Sequence, residues 1–244
     1  MKRLDRTTAA LLASLFLLVA GGPVLPRWAL FLVTVSLAKG LVVLGLLLLM
    51  RTGLVSFGQG LYFAVGAYAA GMLPAAPGLS EAIVMVLAGG AAAGAVAALC
   101  GLLLARYRGI FFAMLSLAFS MILYGLLVKT SALGSTDGFN VSARTVAGIA
   151  AGGPWGRTAI FTLTAVAGSG AALWLHRFLG SHLGRLAPAI RDNELRVEYM
   201  GASVRNVVHL NLTIAGVAAG LGGALTALTV GHIDPEMAYW TTSG

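Results

Sequence analysis

Acidic side chains are scarce in this chain, with eight Asp and Glu against sixteen Lys and Arg in 244 residues. None of the eight lies inside a long apolar run, and Glu81 only borders one. Carriers driven by proton or sodium gradients commonly hold an ionisable or carbonyl-rich site near the bilayer midplane. The shortage argues for an energy source outside the chain. Cysteine occurs once, as Cys100 within an apolar run, which excludes an internal disulfide framework and a thiolate metal cluster. His176, His182, His209 and His232 are far apart and lack H-E-x-x-H spacing, and there is no G-x-S-x-G elbow. The glycine-rich stretch Gly134–Asn140 has no closing Lys-Ser/Thr, so it is not a phosphate-binding loop. No catalytic set and no metal site is expected. A membrane enzyme is disfavoured for the same reason.

What the chain does have is grease. It is 59% hydrophobic and only 10% charged, with a mean hydropathy of +0.92. A water-soluble domain needs more surface charge, so a polytopic membrane protein is the direct reading. The net charge of +8 does not point to nucleic acid, because the basic residues sit singly between apolar runs, as membrane-flanking residues do. The 33 glycines show no Gly-X-Y period and suit closely packed or broken membrane helices.

Seven apolar runs follow one another, at about 7–25, 28–50, 53–72, 81–104, 109–128, 157–176 and 209–230. The basic start followed by Thr7–Leu25 also has the form of a secretory signal. Since the second run begins almost at once, a first transmembrane helix is the reading taken. Placing the amino terminus in the cytoplasm puts eleven Lys and Arg inside and four outside (Arg27, Lys129, Arg144 and Arg157), with Lys39 in a span. That bias has the sign of the positive-inside rule. An all-α bundle of about seven spans, residues 1–244 forming one domain, is therefore expected. The chain is also expected to stop short of a complete protein at its carboxyl end.

Two places break the apolar pattern. Lys39 falls near the middle of the second run, where an ammonium costs roughly 2.5–3.5 kcal/mol to insert, so it is expected to face the bundle interior or a water-filled cavity. At the start of the third run, Gly53-Leu54-Val55-Ser56-Phe57-Gly58-Gln59-Gly60 makes a poor helix start in lipid and is expected to be irregular and buried in protein. Small residues at Gly66/Ala70, Gly90/Gly94 and Gly216/Gly220/Ala224 offer packing faces.

The longest polar interruption is a loop at about 177–207, which holds eight of the twenty-four charged residues. Pro188 is expected to open a short helix running to Met200, with Arg191/Glu194 and Asp192/Arg196 paired along it. Gly201 is placed to stop it, and Ser203 to cap the next helix from Val204. Ile190, Leu195, Val197 and Met200 are expected to form exposed apolar patches on this element.

Ala189-Ile190-Arg191-Asp192-Asn193-Glu194 followed by Glu198-Tyr199-Met200-Gly201 resembles the cytoplasmic coupling loop of the branched-chain amino acid ABC transporter permease family. Leu195 and Arg196 stand where importers at large carry an Ala pair, so the likeness is to this subfamily. Two more blocks are similar to it: Gly53-x-x-Ser56-x-Gly58 with Phe63, Gly66, Ala67 and Tyr68, and Arg108–Ala113 with Leu117-Ala118-Phe119. Family members usually have Asn where Leu47 stands, His where Gln59 stands, and Thr-Gly-Gly near Gly134–Asn140.

The resemblance implies a multi-pass permease subunit of the bacterial inner membrane, importing branched-chain amino acids or similar small polar solutes. Its implied partners are a sister permease, two ATP-binding subunits and a periplasmic solute-binding protein. ATP and Mg would be bound by the ATPase subunits and no cofactor by this chain. Arg191, Asp192, Asn193, Glu194, Glu198 and Gly201 are the expected ATPase-coupling residues. Lys39, Ser56, Gly58 and Gln59 are the expected substrate-path residues. The rival is a stand-alone secondary carrier or channel for a small solute, which would work without ATP or partners.

Overall fold

The computed structural model describes residues 6–243 apart from 74–79, 142, 144, 147, 151, 152 and 154. The Pro/Gly turn at 74–80, the basic residues Lys2 and Arg3, and Arg144 lie wholly or mostly outside that set. The chain is a bundle of α-helices: α1 (Arg6–Gly21), α2 (Arg27–Arg51), α3 (Gln59–Met72), α4 (Ala82–Leu104), α5 (Gly109–Lys129), α6 (Gly156–Gly180), α7 (His182–Asp192), α8 (Glu194–Tyr199) and α9 (Val204–Val230). Among the described residues five helices, α2, α4, α5, α6 and α9, are long and apolar enough to cross a membrane, rather than the seven expected.

The two short elements differ in kind. α1 has 16 residues, just under a full crossing. α3 has 14, about 21 Å at 1.5 Å per residue. Residues 53–60 explain its shortness. Gly53 adopts φ +76°, residues 54–58 are non-helical, and Leu54, Ser56, Gly58, Gln59 and Gly60 are buried. Backbone with free N–H and C=O groups survives at membrane depth only inside protein, and α3 itself is covered by protein on nearly every side.

α9 is the axis of the bundle, packed by α2, α3 and α4. Its small residues are what let three helices come so close. A Cβ on Gly220 would collide with Ala93, one on Gly216 with Ala97, and one on Gly223 with the Phe63 carbonyl. Gly66 lies against the Gly220 backbone in the same way. Without water between helices, such van der Waals contact is the main packing force in lipid.

The two ends of the bundle are built differently. At one end, α7 and α8 lie against the carboxyl ends of α2 and α4 and the start of α9. At the other, two small antiparallel ribbons form. β1 (Phe139–Asn140) pairs with β4 (His232–Ile233), and β2 (Thr145–Val146) pairs with β3 (Ile149–Ala150). The chain after Gly231 then folds back into the bundle, where Ser120 in mid-α5 donates to the Ala238 carbonyl at 2.7 Å and Tyr124 meets Tyr239 edge to face. The sequence pattern read 134–140 as a loop and 231–235 as a turn, because two-residue strands carry no periodicity.

Candidate functional site

The polar loop is fully structured. Ser181 caps α7, its hydroxyl accepting from the Gly184 N–H at 3.3 Å, so the helix starts six residues before Pro188. Pro188 lies inside α7, on its exposed side. This corrects the expected start: a Ser cap outcompetes a proline start, and the missing Pro188 N–H deprives only the Gly184 carbonyl. Asn193 breaks the path with extended backbone and caps α8, accepting from the Arg196 N–H at 3.0 Å. The single helix expected from Pro188 to Met200 is therefore two, meeting at an elbow.

The end of α8 and the start of α9 follow the sequence closely. Gly201 takes φ +85°, its N–H donates to the Glu198 carbonyl at 2.9 Å, and the Ala202 N–H donates to Val197 at 3.3 Å. This is a Schellman stop, which a residue with a Cβ enters only with strain. Ser203 then caps α9, accepting from the Asn206 N–H at 3.4 Å.

The charges and apolar residues of the elbow sort differently from expectation. The break at Asn193 separates Arg191 from Glu194, and Glu194 pairs instead with Arg108, 86 residues earlier, at 2.8 Å. Arg108 also donates to the Ala105 and Tyr107 carbonyls at 2.8 and 2.9 Å, which holds its guanidinium in place. No ion pair joins Asp192 to Arg196 among the described residues. Ile190 and Val197 are buried, not exposed, and join Leu49, Leu54, Leu104, Val204 and Val208 in one apolar cluster. The stem of Arg191 lies beside Gly53, so the elbow also approaches the irregular segment before α3. Leu195, Tyr199 and Met200 point outward, with Tyr199 89% exposed, and Arg191, Asp192, Asn193, Glu198 and Gly201 are exposed beside them.

Three of the four expected path residues come together. Ser56 accepts from the Gly58 N–H at 3.3 Å, the Phe57 N–H donates to Ser116 of α5 at 3.2 Å, and Gly58 lies flat against the Ser116 backbone. Among the described residues the fully buried Gln59 amide has no hydrogen-bond partner, and the Asn211 amide in α9 shares that condition. Lys39 does not join them. Ala38, Leu41, Gly45 and Leu48 form the packed stripe of α2, and Lys39 points away from it on the exposed face. The expectation that it faces the interior of this bundle is thereby corrected: α2 spends its inward face on small and branched residues against α9. Sequence reasoning quoted Arg108 in a family-like block without giving it a role, and it missed Ser116, Ser120 and Asn211. Ser116 and Ser120, four apart and both buried in an apolar helix, carried a helical-period signal.

The family described as "Branched-chain amino acid transport system / permease component" matches residues 28–243. The chain belongs to this family. It is also 28% identical, over 93% of its length, to the high-affinity branched-chain amino acid transport system permease protein LivM of Escherichia coli (strain K12). The chain spans 58% of the length of that relative. No solved structure matches it significantly. Five long apolar helices and membership of this family make the chain a multi-pass membrane protein.

Proposed function

We propose that this chain is the membrane-spanning permease subunit of an ABC importer in the bacterial inner membrane. It carries branched-chain amino acids or similar small polar solutes, driven by ATP hydrolysis in partner subunits. Its partners are a sister permease, two ATP-binding subunits that hold ATP and Mg, and a periplasmic solute-binding protein. The amino terminus is cytoplasmic, and α1 and α3 count with the five long helices to make seven passes.

One observation carries this reading. The α7–α8 elbow buries Ala187, Ile190 and Val197 in the bundle while presenting Leu195, Tyr199, Met200 and a ring of charges outward. An element keyed into α2, α4 and α9 on one side and apolar on the other is built to receive force. The Gly201–Ser203 corner passes that force directly into α9, and α9 contacts the helices around it. Gly58, Gln59 and Asn211 are buried in the bundle that such a movement would rearrange. Buried amides without partners cost about 1–3 kcal/mol each, a cost retained where a polar solute or water is to be met.

The test is reconstitution with the cognate subunits in liposomes. Gly201→Val is expected to abolish substrate-stimulated ATP hydrolysis and uptake, with the protein still inserted. Uptake under an ion gradient without ATP or partners would instead identify a stand-alone carrier.

A further inference from the structure

We propose that the groove between the amino-terminal ends of α2 and α6 is a binding site for one anionic phospholipid. Its phosphate would sit between Arg27 and Arg157, and an acyl chain would lie on the apolar wall below. A cavity of about 570 Å³ opens there, lined by both arginines, by Trp28 at its rim, by Phe31, Leu32 and Ile160 deeper along the helices, and by Thr229 and Val230 at the end of α9.

Three features point to an anion. Arg27 and Arg157 stand in the first turns of α2 and α6, where the helix dipole favours negative charge and disfavours a guanidinium. Neither helix has an acidic residue in its first turn or a side-chain cap on its free N–H groups. Neither arginine has a carboxylate partner among the described residues, and no carboxylate lines the cavity. Thr229 and Val230 bring the carboxyl end of α9 to the same cavity and offset part of the guanidinium charge, and an anion between the ends of α2 and α6 would compensate their two dipoles and the remainder.

Two further features distinguish a lipid from a soluble ion. The groove lies at the end of membrane-crossing helices, the depth at which Trp and Arg meet headgroups, and Trp28 is 70% exposed. Below the arginines its wall is apolar, and Phe31 and Leu32 are 44% and 55% exposed. A small hydrated anion has no use for that wall, whereas a hydrocarbon chain buries against it. Thr34 and Thr229, also lining the groove, already donate to the Leu30 and Leu225 carbonyls at 2.6 and 2.7 Å.

The experiment uses the full chain in its assembled complex, purified in detergent and titrated with phosphatidylglycerol or phosphatidylcholine, with bound lipid read by native mass spectrometry. The native protein is expected to retain phosphatidylglycerol roughly tenfold better or more, each arginine contributing to the preference. Arg27→Gln with Arg157→Gln should erase the preference, and the paired Lys substitutions should keep most of it. Millimolar inorganic phosphate should not displace the lipid. Equal retention of the two lipids by native protein, or an unchanged preference in the Gln pair, overturns the proposal. Displacement by inorganic phosphate would show a site for a soluble anion, and a Trp28→Cys cross-link to another subunit with lipid excluded would show a protein interface. Either result also overturns it. If the Gln pair fails to fold, each single Gln variant is read by the same criterion.

Discussion

Exchanging the partners of the Arg108–Glu194 pair tests whether the elbow is braced from within the chain. Glu194→Arg removes the attraction and places two guanidiniums face to face. The side chains are 29% and 39% exposed, so the lost attraction is that of a surface pair, about 0.2–1 kcal/mol. Repulsion between fixed charges 4 Å apart reaches ~4 kcal/mol at an effective dielectric of 20. A new Arg on α8 would swing toward water and keep only a fraction of that, while the bonds to Ala105 and Tyr107 prevent Arg108 from moving away. The net loss is about 1–2 kcal/mol, a factor of roughly 5–30 in the ratio of docked to undocked α8.

Buried Ile190 and Val197 keep the elbow attached, so insertion and yield are expected to be unchanged. Substrate-stimulated ATP hydrolysis by the reconstituted complex is the readout, and it is expected to fall, with that factor as the upper limit. The double variant Arg108→Glu with Glu194→Arg should recover most of the loss. Full recovery is not expected, because a carboxylate at 108 cannot donate to the two carbonyls. If the single variant is silent, or the exchange is as inactive as the single, Glu194 does not act through Arg108 and the brace is refuted.

Three other changes have defined outcomes. Gly223→Val drives a side chain into the Phe63 carbonyl, so melting of the detergent-purified protein should fall by at least the ~1–3 kcal/mol typical of overpacking. Ser203→Ala removes the α9 cap and should cost about 0.5–2 kcal/mol of stability by the same measurement. Gln59→Leu removes an unpartnered buried amide and should raise the melting temperature, by relief of about 1–3 kcal/mol, while uptake falls. A Gln59→Leu protein that is less stable, or one that transports normally, contradicts the role given to that amide.

Composition and periodicity were enough for the membrane class, the positions of the long helices and the irregular start of the third run. Each rests on local chemistry. Apolar length decides what crosses lipid, and a Gly/Ser/Gln cluster cannot begin a lipid-facing helix. Local rules also placed the Gly201 stop and the Ser203 cap, because both bonds close within five residues. The family resemblance was carried by three blocks whose residues now prove to be neighbours. Arg108 of one block grips Glu194 of another, and Arg191 lies beside Gly53 of the third.

Only the tertiary structure decided which partner each group takes. Glu194 had Arg191 three residues away, yet it bonds a guanidinium 86 residues distant, because Asn193 breaks the helix that would have aligned the nearer pair. Ile190 and Val197 read as exposed apolar patches until the ends of α2, α4 and α9 were seen to close over them. Lys39 read as an inward charge until α2 was seen to turn its other face to α9. A sequence window records the spacing of side chains along a helix but not the rotation of that helix about its axis. That rotation is set by where small residues let neighbouring helices approach, a property of several segments at once.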